Sequence, residues 1–235
     1  DKDMQQEIIE NMFSAMEKLE ENGFRSCSHL VLTAYVIGRY GNSRKQDDIV
    51  YKLKESYILL KEKYNNITNE DDYLLCALWS INNIEVEVVN DFIENVYDHV
   101  ADYNIRTKNG VQGLSNAMIL NGSSGHMYRN MEFLLQLQKR DIKIANQFLP
   151  LVGVLSNTNP RRTVDLVEGV IEDLCDKEAE YEFYLDKGFR TIIAVVIVSF
   201  CTISDKRRYI DELLAHGVIS FINSKNKGIF EEALS

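Results

Sequence analysis

Residues 3–40 read DMQQEIIENMFSAMEKLEENGFRSCSHLVLTAYVIGRY, and this stretch decides the fold. In its first half Ile8, Ile9, Met12, Met16 and Leu19 recur at intervals of three and four residues, which sets them on one side of an α-helix and leaves Glu and Lys on the other. After Gly23 the chain turns into SHLVLTAYVIG, a run that is almost wholly apolar. A helix apolar on every side is one surrounded by other elements, whereas an amphipathic helix covers such a helix from outside. The stretch therefore predicts a helical hairpin with an outer and an inner member.

Reading outward, the same pair recurs. Long amphipathic segments fall at 3–21, 47–64, 86–103, 126–140 and 162–178, with short apolar partners at about 28–40, 71–82, 110–121, 145–156 and 189–203, and a last segment, 207–222, stands alone. Leu30, Leu74, Leu114, Leu149 and Ile192 hold comparable places in the short segments, a spacing of roughly 35–44 residues that lies within the range of helical repeats. Gly23-Phe24-Arg25-Ser26 before the first short segment is echoed by Gly188-Phe189-Arg190-Thr191 before the last, and in both the glycine is expected to end a helix while the hydroxyl caps the next one. Arg25 and Arg190 are then expected as equivalent corner braces. Ile192–Val198 is rich in β-branched residues, yet its apolar run continues through Phe200, Cys201 and Ile203, longer than a usual buried strand, so it is assigned to helix. The expectation is an all-α fold of about eleven helices in two layers, repeated α-hairpins forming an α-solenoid-like or α/α superhelical domain over 1–235.

Composition narrows the class. With 2 Pro and 12 Gly among 235 residues, the chain lacks the turn punctuation that many short strands require, and 45% hydrophobic residues suffice for a sizeable core. A net charge of -10 opposes nucleic acid, whose binding draws on Lys and Arg neutralising phosphates, and disfavours an anionic membrane surface. Cys27, Cys76, Cys175 and Cys201 form no CxxC pair and sit among apolar residues, which points to reduced, mostly buried thiols in a cytoplasmic protein. The opening DKDMQQEIIE has no initiator Met and none of the order of a signal peptide, so the chain reads as a fragment of a longer protein.

Motifs of catalysis and metal binding fall short one by one. Asp47-Asp48 and Asp71-Asp72 lack the third carboxylate of DDxxD, and each suits a helix start, where aspartate accepts backbone N–H bonds and meets the positive end of the helix dipole. His29, His99, His126 and His216 occur in no HD or HExxH pattern, so no metal and no cofactor are expected. Asn121-Gly122-Ser123-Ser124-Gly125 lacks the GK[ST] ending of a phosphate loop and reads as a connection, and Pro160 in Asn159-Pro160-Arg161-Arg162-Thr163 marks a helix start. No GxSxG is present, and Cys27, two residues from His29, lacks any recognisable oxyanion or orienting group. Tyr73 and Trp79 share one short segment and are groove candidates.

Taken together, the GFRS turn, the DDY start of segment 71–82, NGVQGLSNAMIL over 109–120 and LDKGFRTIIA over 185–194 resemble a bacterial family catalogued as domain of unknown function 4003. That resemblance implies a helical, intracellular protein larger than this chain. It implies no catalytic residue. Stacked helix pairs create extended grooves, so the leading expectation is a non-catalytic scaffold that binds a protein or peptide. The alternative is a small-ligand binder or enzyme whose pocket forms at the N-terminal ends of the short helices, from His29, Asp71, Asp72, Tyr73, Asn109, Gln112, Asn116 and Arg190.

Overall fold

The computed structural model describes residues 2–41, 45–100, 108–120, 125–153, 159–202 and 209–226, leaving aside the side chains of 86, 90, 97–100, 108–109, 125–126 and 224–226. Over these residues the fold is all-α, with eleven α-helices and no strand. In chain order they are α1 (Lys2–Glu21), α2 (Ser28–Tyr40), α3 (Gln46–Lys63), α4 (Tyr73–Ile81), α5 (Val86–Val100), α6 (Lys108–Ile119), α7 (Gly125–Lys139), α8 (Leu149–Gly153), α9 (Pro160–Tyr181), α10 (Lys187–Thr202) and α11 (Ile210–Asn226), with 3₁₀ turns at Glu70–Asp72 and Asn146–Phe148 ahead of α4 and α8.

Four of the five apolar short segments lie inside, while the fifth, α10, packs on α9 and leaves Ile197 and Cys201 exposed. Every residue of α8 is buried, as is α4 from Tyr73 through Ser80, and α2, α4, α6 and α8 pack as a row of neighbours. Three amphipathic helices lean on this row from outside, α1 on α2, α3 on α4 and α5 on α6, while α9 packs on α7 and α10. α1 buries only Ala15 and Leu19 completely, as its single apolar stripe requires. Trp79, Phe148, Leu74 and Leu114 are among the largest side chains closed off from solvent, each contributing about 1.5–3 kcal/mol of burial. Ile192–Val198 lies within α10, so burial against α9 overrides β-propensity there.

The two Gly-Phe-Arg sequences do not fold alike. Gly23 has φ +87° in the exit from α1, the Phe24 amide donates to the Leu19 carbonyl at 3.1 Å, and α2 begins after Cys27, which is extended and whose side chain makes no cap bond. Gly188, by contrast, sits in the first turn of α10. The reason is local: the Asp186 carboxylate accepts the amides of Gly188 at 3.0 Å and Phe189 at 3.2 Å, which starts the helix early enough to absorb the whole motif. Thr191 then bonds the Lys187 carbonyl inside the helix instead of capping it. The arginines differ too. Arg190 braces its corner, pairing with Glu178 at 2.6 Å and donating to the Leu185 carbonyl, whereas Arg25 lies on the surface with Glu70 at 3.1 Å.

The cysteines also depart from expectation. All four are free thiols, but only Cys76 is buried; Cys27 and Cys175 are half-buried and Cys201 is exposed, because α10 turns that face to solvent.

α11, the segment without a partner in the sequence, packs across α2, the 146–148 turn and α8. It comes this close because residue 217 has no side chain: a Cβ there would fall 2.6 Å from Cε1 of Phe148 and 3.1 Å from the Gln147 carbonyl oxygen. Phe148 is closed off from solvent and has nowhere to retreat. Gly217→Ala is therefore expected to cost about 1–3 kcal/mol through overpacking, read as a Tm lowered by several degrees and as faster hydrogen exchange in α11 than in α4. Thiol titration of the native protein should modify Cys201 first and Cys76 only on unfolding; equal rates at the two would contradict this packing.

Candidate functional site

The N-terminal ends of α2 and α4 meet α6 and α11 at a buried polar junction. Its frame is the 3₁₀ turn before α4. Asn69 Oδ1 accepts the Asp71 amide at 2.9 Å, and Asp72 Oδ2 accepts the Asn69 amide at 3.0 Å, a reciprocal capping box that locks the turn. Two consecutive aspartates are thereby presented in different directions.

Asp72 points into the protein and is buried. The Nε2 of Gln112 and the Nδ2 of Asn116, one turn apart on α6, each lie 3.4 Å from its Oδ1, and Gln112 Nε2 also donates to Thr68 Oγ1 at 3.1 Å. Burial pushes this carboxyl up to about 7, against the opposing pull of the Asn69 amide. The side-chain oxygens of Gln112 and Asn116 have no donor among the described residues, so a protonated Asp72 has an acceptor close by if either amide turns over.

Asp71 faces the other way, toward two histidines. Its Oδ1 lies 3.1 Å from His29 Nδ1, and its backbone carbonyl accepts from His216 Nε2 at 2.8 Å. The His29 and His216 ring centroids are 5.3 Å apart. On its other nitrogen, Nε2, His29 meets Ser220 Oγ at 3.0 Å. Burial holds the His216 imidazole below its ordinary pKa, against the opposing pull of Asp71, and its Nδ1 has no hydrogen-bond partner among the described residues. Below this layer α11 is fastened again where Glu212 accepts from Arg39 at 2.9 Å and Tyr40 at 2.7 Å, and where Tyr209 and Asn82 share a hydrogen bond.

Of the residues expected at a pocket, His29, Asp71, Asp72, Gln112 and Asn116 are brought together here. Tyr73 is not: its ring stacks edge-on with Phe24 and Tyr57, 5.0 and 4.9 Å between centroids, and its hydroxyl accepts from the Arg25 amide. Arg190 belongs to the distant α9–α10 corner. The Asn109 side chain lies outside the described residues. Trp79 lines no groove, since it is closed off from solvent and gives its indole N–H to the Asn116 carbonyl at 3.0 Å. No motif in the sequence marks His216 or Ser220 as a site residue. They stand four apart on α11, and only the docking of that helix carries them across 145 and 191 residues of chain to Asp71 and His29. Among the described residues, no three His, Cys, Asp or Glu side chains are grouped as a metal would require.

The family model described as protein of unknown function (DUF4003) matches residues 1–227. The chain belongs to this DUF4003 family. No curated protein and no solved structure matches it. No described helix of this DUF4003 member is long and apolar enough to cross a membrane.

A second feature of the chain lies on the surface. Residues 165–186 carry nine carboxylates and one lysine, a net -8 of the chain's -10. α9 has Arg161 and Arg162 in its first turn with no acid there, and no base in its last turn, the reverse of what the helix dipole favours. Glu172, Asp176 and Glu180 repeat at four-residue intervals, placing like charges on one stripe. Just beyond, the non-glycine Glu182 adopts φ +53°, and Tyr181, Phe183 and Tyr184 are 65%, 43% and 81% exposed.

The titration of Asp72 yields a test. Its folded pKa stands above the ordinary 3.8, so the stability it contributes is complete below about 3.8 and is lost as pH rises to about 7. His216 has the opposite sign: its depressed pKa gives stability that is present above its ordinary 6.5 and lost as pH falls below it. Asp72→Asn is expected to raise Tm at pH 8 by roughly 2–8 °C and to leave little difference at pH 4. Thermal melts across pH decide it, and a variant weaker at pH 8 than at pH 4 would mean that the ionised carboxylate holds the junction.

Proposed function

We propose that this chain is a helical scaffold that binds a protein or peptide partner, and that the α9 ridge with the aromatic corner after it is the binding surface. The observation that carries this reading is a charge arrangement with no return to the fold. Carboxylates at the wrong end of a helix dipole and repeated at four-residue spacing cost about 1–3 kcal/mol together, a large share of the margin by which a domain is stable. Glu178 is accounted for by Arg190 and by the Leu185 amide, and Asp165 and Glu168 by Arg140. Glu172, Asp173, Asp176 and Glu182 remain as exposed carboxylates beside exposed aromatic rings.

Acidic groups next to aromatic faces suit a partner segment rich in Lys or Arg, which gains from both charge attraction and cation–π contact. Lys177, placed 5.6 Å from the centre of the Tyr181 ring, makes that contact within the chain. The same potential repels nucleic acid. Four unpaired thiols support a reducing compartment, and with the family they support our inference of a bacterial cytoplasmic protein.

A second reading is favoured by one observation, the convergence of five expected site residues with His216 and Ser220. On that reading the buried junction takes a small ligand or carries chemistry of its own.

The surface reading is tested with a fluorescent peptide of alternating Lys and Leu and with the double variant Tyr181→Ala/Tyr184→Ala. Binding to the parent chain should weaken with added salt, and the double variant should bind at least about tenfold less tightly at unchanged Tm, since both rings are exposed. Equal affinity in the two proteins would reduce the effect to bulk charge and end the proposal.

A further inference from the structure

Hydroxyl groups on the helices of this protein have a common habit. Thr33, Ser80, Ser115, Thr191, Ser199 and Thr202 each donate to the carbonyl four residues earlier in their own helix, the usual way a buried helical hydroxyl is satisfied. Ser220, also buried and within α11, lies instead 3.0 Å from Nε2 of a histidine 191 residues away.

The protonation of that histidine follows from its other side. His29 Nδ1 lies 3.1 Å from Oδ1 of Asp71, and a carboxylate only accepts, so in the neutral ring Nδ1 carries the proton and Nε2 turns its lone pair to the Ser220 hydroxyl. Thr33 donates to the His29 carbonyl at 2.8 Å. A hydroxyl, a base in the tautomer that can take its proton, and a carboxylate fixing that tautomer are the three roles by which nucleophilic relays are recognised, whatever the fold that holds them. Here they come from α11, α2 and the turn before α4.

We propose that Ser220, His29 and Asp71 form an acyl-accepting relay for small uncharged esters. It deepens the second reading above and owes nothing to the α9 ridge. Ser220 Oγ attacks the ester carbonyl carbon while its proton passes to His29 Nε2, and the resulting oxyanion forms beside the N-terminal end of α2. That end has no side-chain cap, since Cys27 makes none. The carbon–oxygen bond to the leaving alcohol then breaks, the alcohol departs with the proton from His29, and the acyl group remains on Ser220. Water, with His29 again as base, releases the carboxylic acid and restores the hydroxyl.

Substrate class follows from the surroundings. Ser220 is 6% exposed and lies beneath the surface hydrogen bond from Asn223 to Ser28, so only a small acyl group passes. The Asp71 carboxylate on the adjoining turn, which faces His29, disfavours anionic esters. Asp71, 38% exposed at its side chain, acts on the reaction through His29 and is a positioning residue.

The probe is p-nitrophenyl acetate, used on protein whose exposed Cys201 has first been alkylated. A burst of nitrophenol equal to the protein concentration is expected, with the acetyl group located on the peptide that contains Ser220. Ser220→Ala should remove the burst from protein that keeps its helical circular dichroism at the assay temperature. Asp71→Asn should lower acylation about 10²- to 10⁴-fold near pH 7, because the amide favours the wrong tautomer. It should also displace the pH profile, which a loss of packing alone would not do. No burst from the folded protein, or an acetyl group that persists elsewhere when Ser220 is replaced, overturns the relay and leaves the peptide-binding proposal untouched.

Discussion

The structure hangs on a four-residue turn. Asn69 and Asp72 bond each other's backbone reciprocally, and once that box is closed Asp71 and Asp72 point to opposite sides of the start of α4. α6 is tied to one aspartate through Gln112 and Asn116; α2 and α11 are tied to the other through His29 and His216. Three helices distant in sequence thus take their positions from two neighbouring aspartates, α6 and α2 from their carboxyl groups and α11 from the Asp71 backbone carbonyl. Inside a protein such bonds are worth more than in water, and an unmade one costs correspondingly more, so the arrangement specifies one packing and penalises alternatives.

Around this polar centre the rest of the fold is conventional apolar packing, and the two are held in tension. The row α2, α4, α6 and α8 gains by expelling water, yet it encloses a carboxyl raised to about 7 and an imidazole held neutral. Those two groups titrate with opposite sign, so neither acid nor base leaves both at ease. α11 belongs to both regimes: Gly217 lets it press against Phe148, while Glu212, His216 and Ser220 on the same helix reach polar partners in the first half of the chain. The α9 surface shows the converse, since its carboxylates strain the helix that carries them and meet little inside the chain to offset them.

Much of this was legible in the residues. Apolar spacing along residues 3–40 and its recurrences located the helices and separated inner from outer members, because burial imposes a period that no other arrangement satisfies. Membership in the DUF4003 family was readable from four short motifs. His29, Asp71, Asp72, Gln112 and Asn116 stood out because polar side chains at the head of apolar helices need partners. The Gly-Phe-Arg echo misled, since a single carboxylate, Asp186, starts α10 earlier and changes what the same three residues do. The exposure of Cys201 was equally hidden, as an apolar neighbourhood in sequence does not say which face of a helix meets solvent.

Local order along the chain by itself determined that this protein is all-α and, to within a few residues, where its helices fall, because caps, turns and periodicity act over short distances. What it did not determine was the place of α11. That helix has no hairpin partner, and its seat depends on a missing Cβ at Gly217 and on bonds spanning 145 to 191 residues. Only the tertiary structure could set Ser220 against His29 and His216 against Asp71, since the distance between two side chains far apart in sequence is fixed by the packing of everything between them.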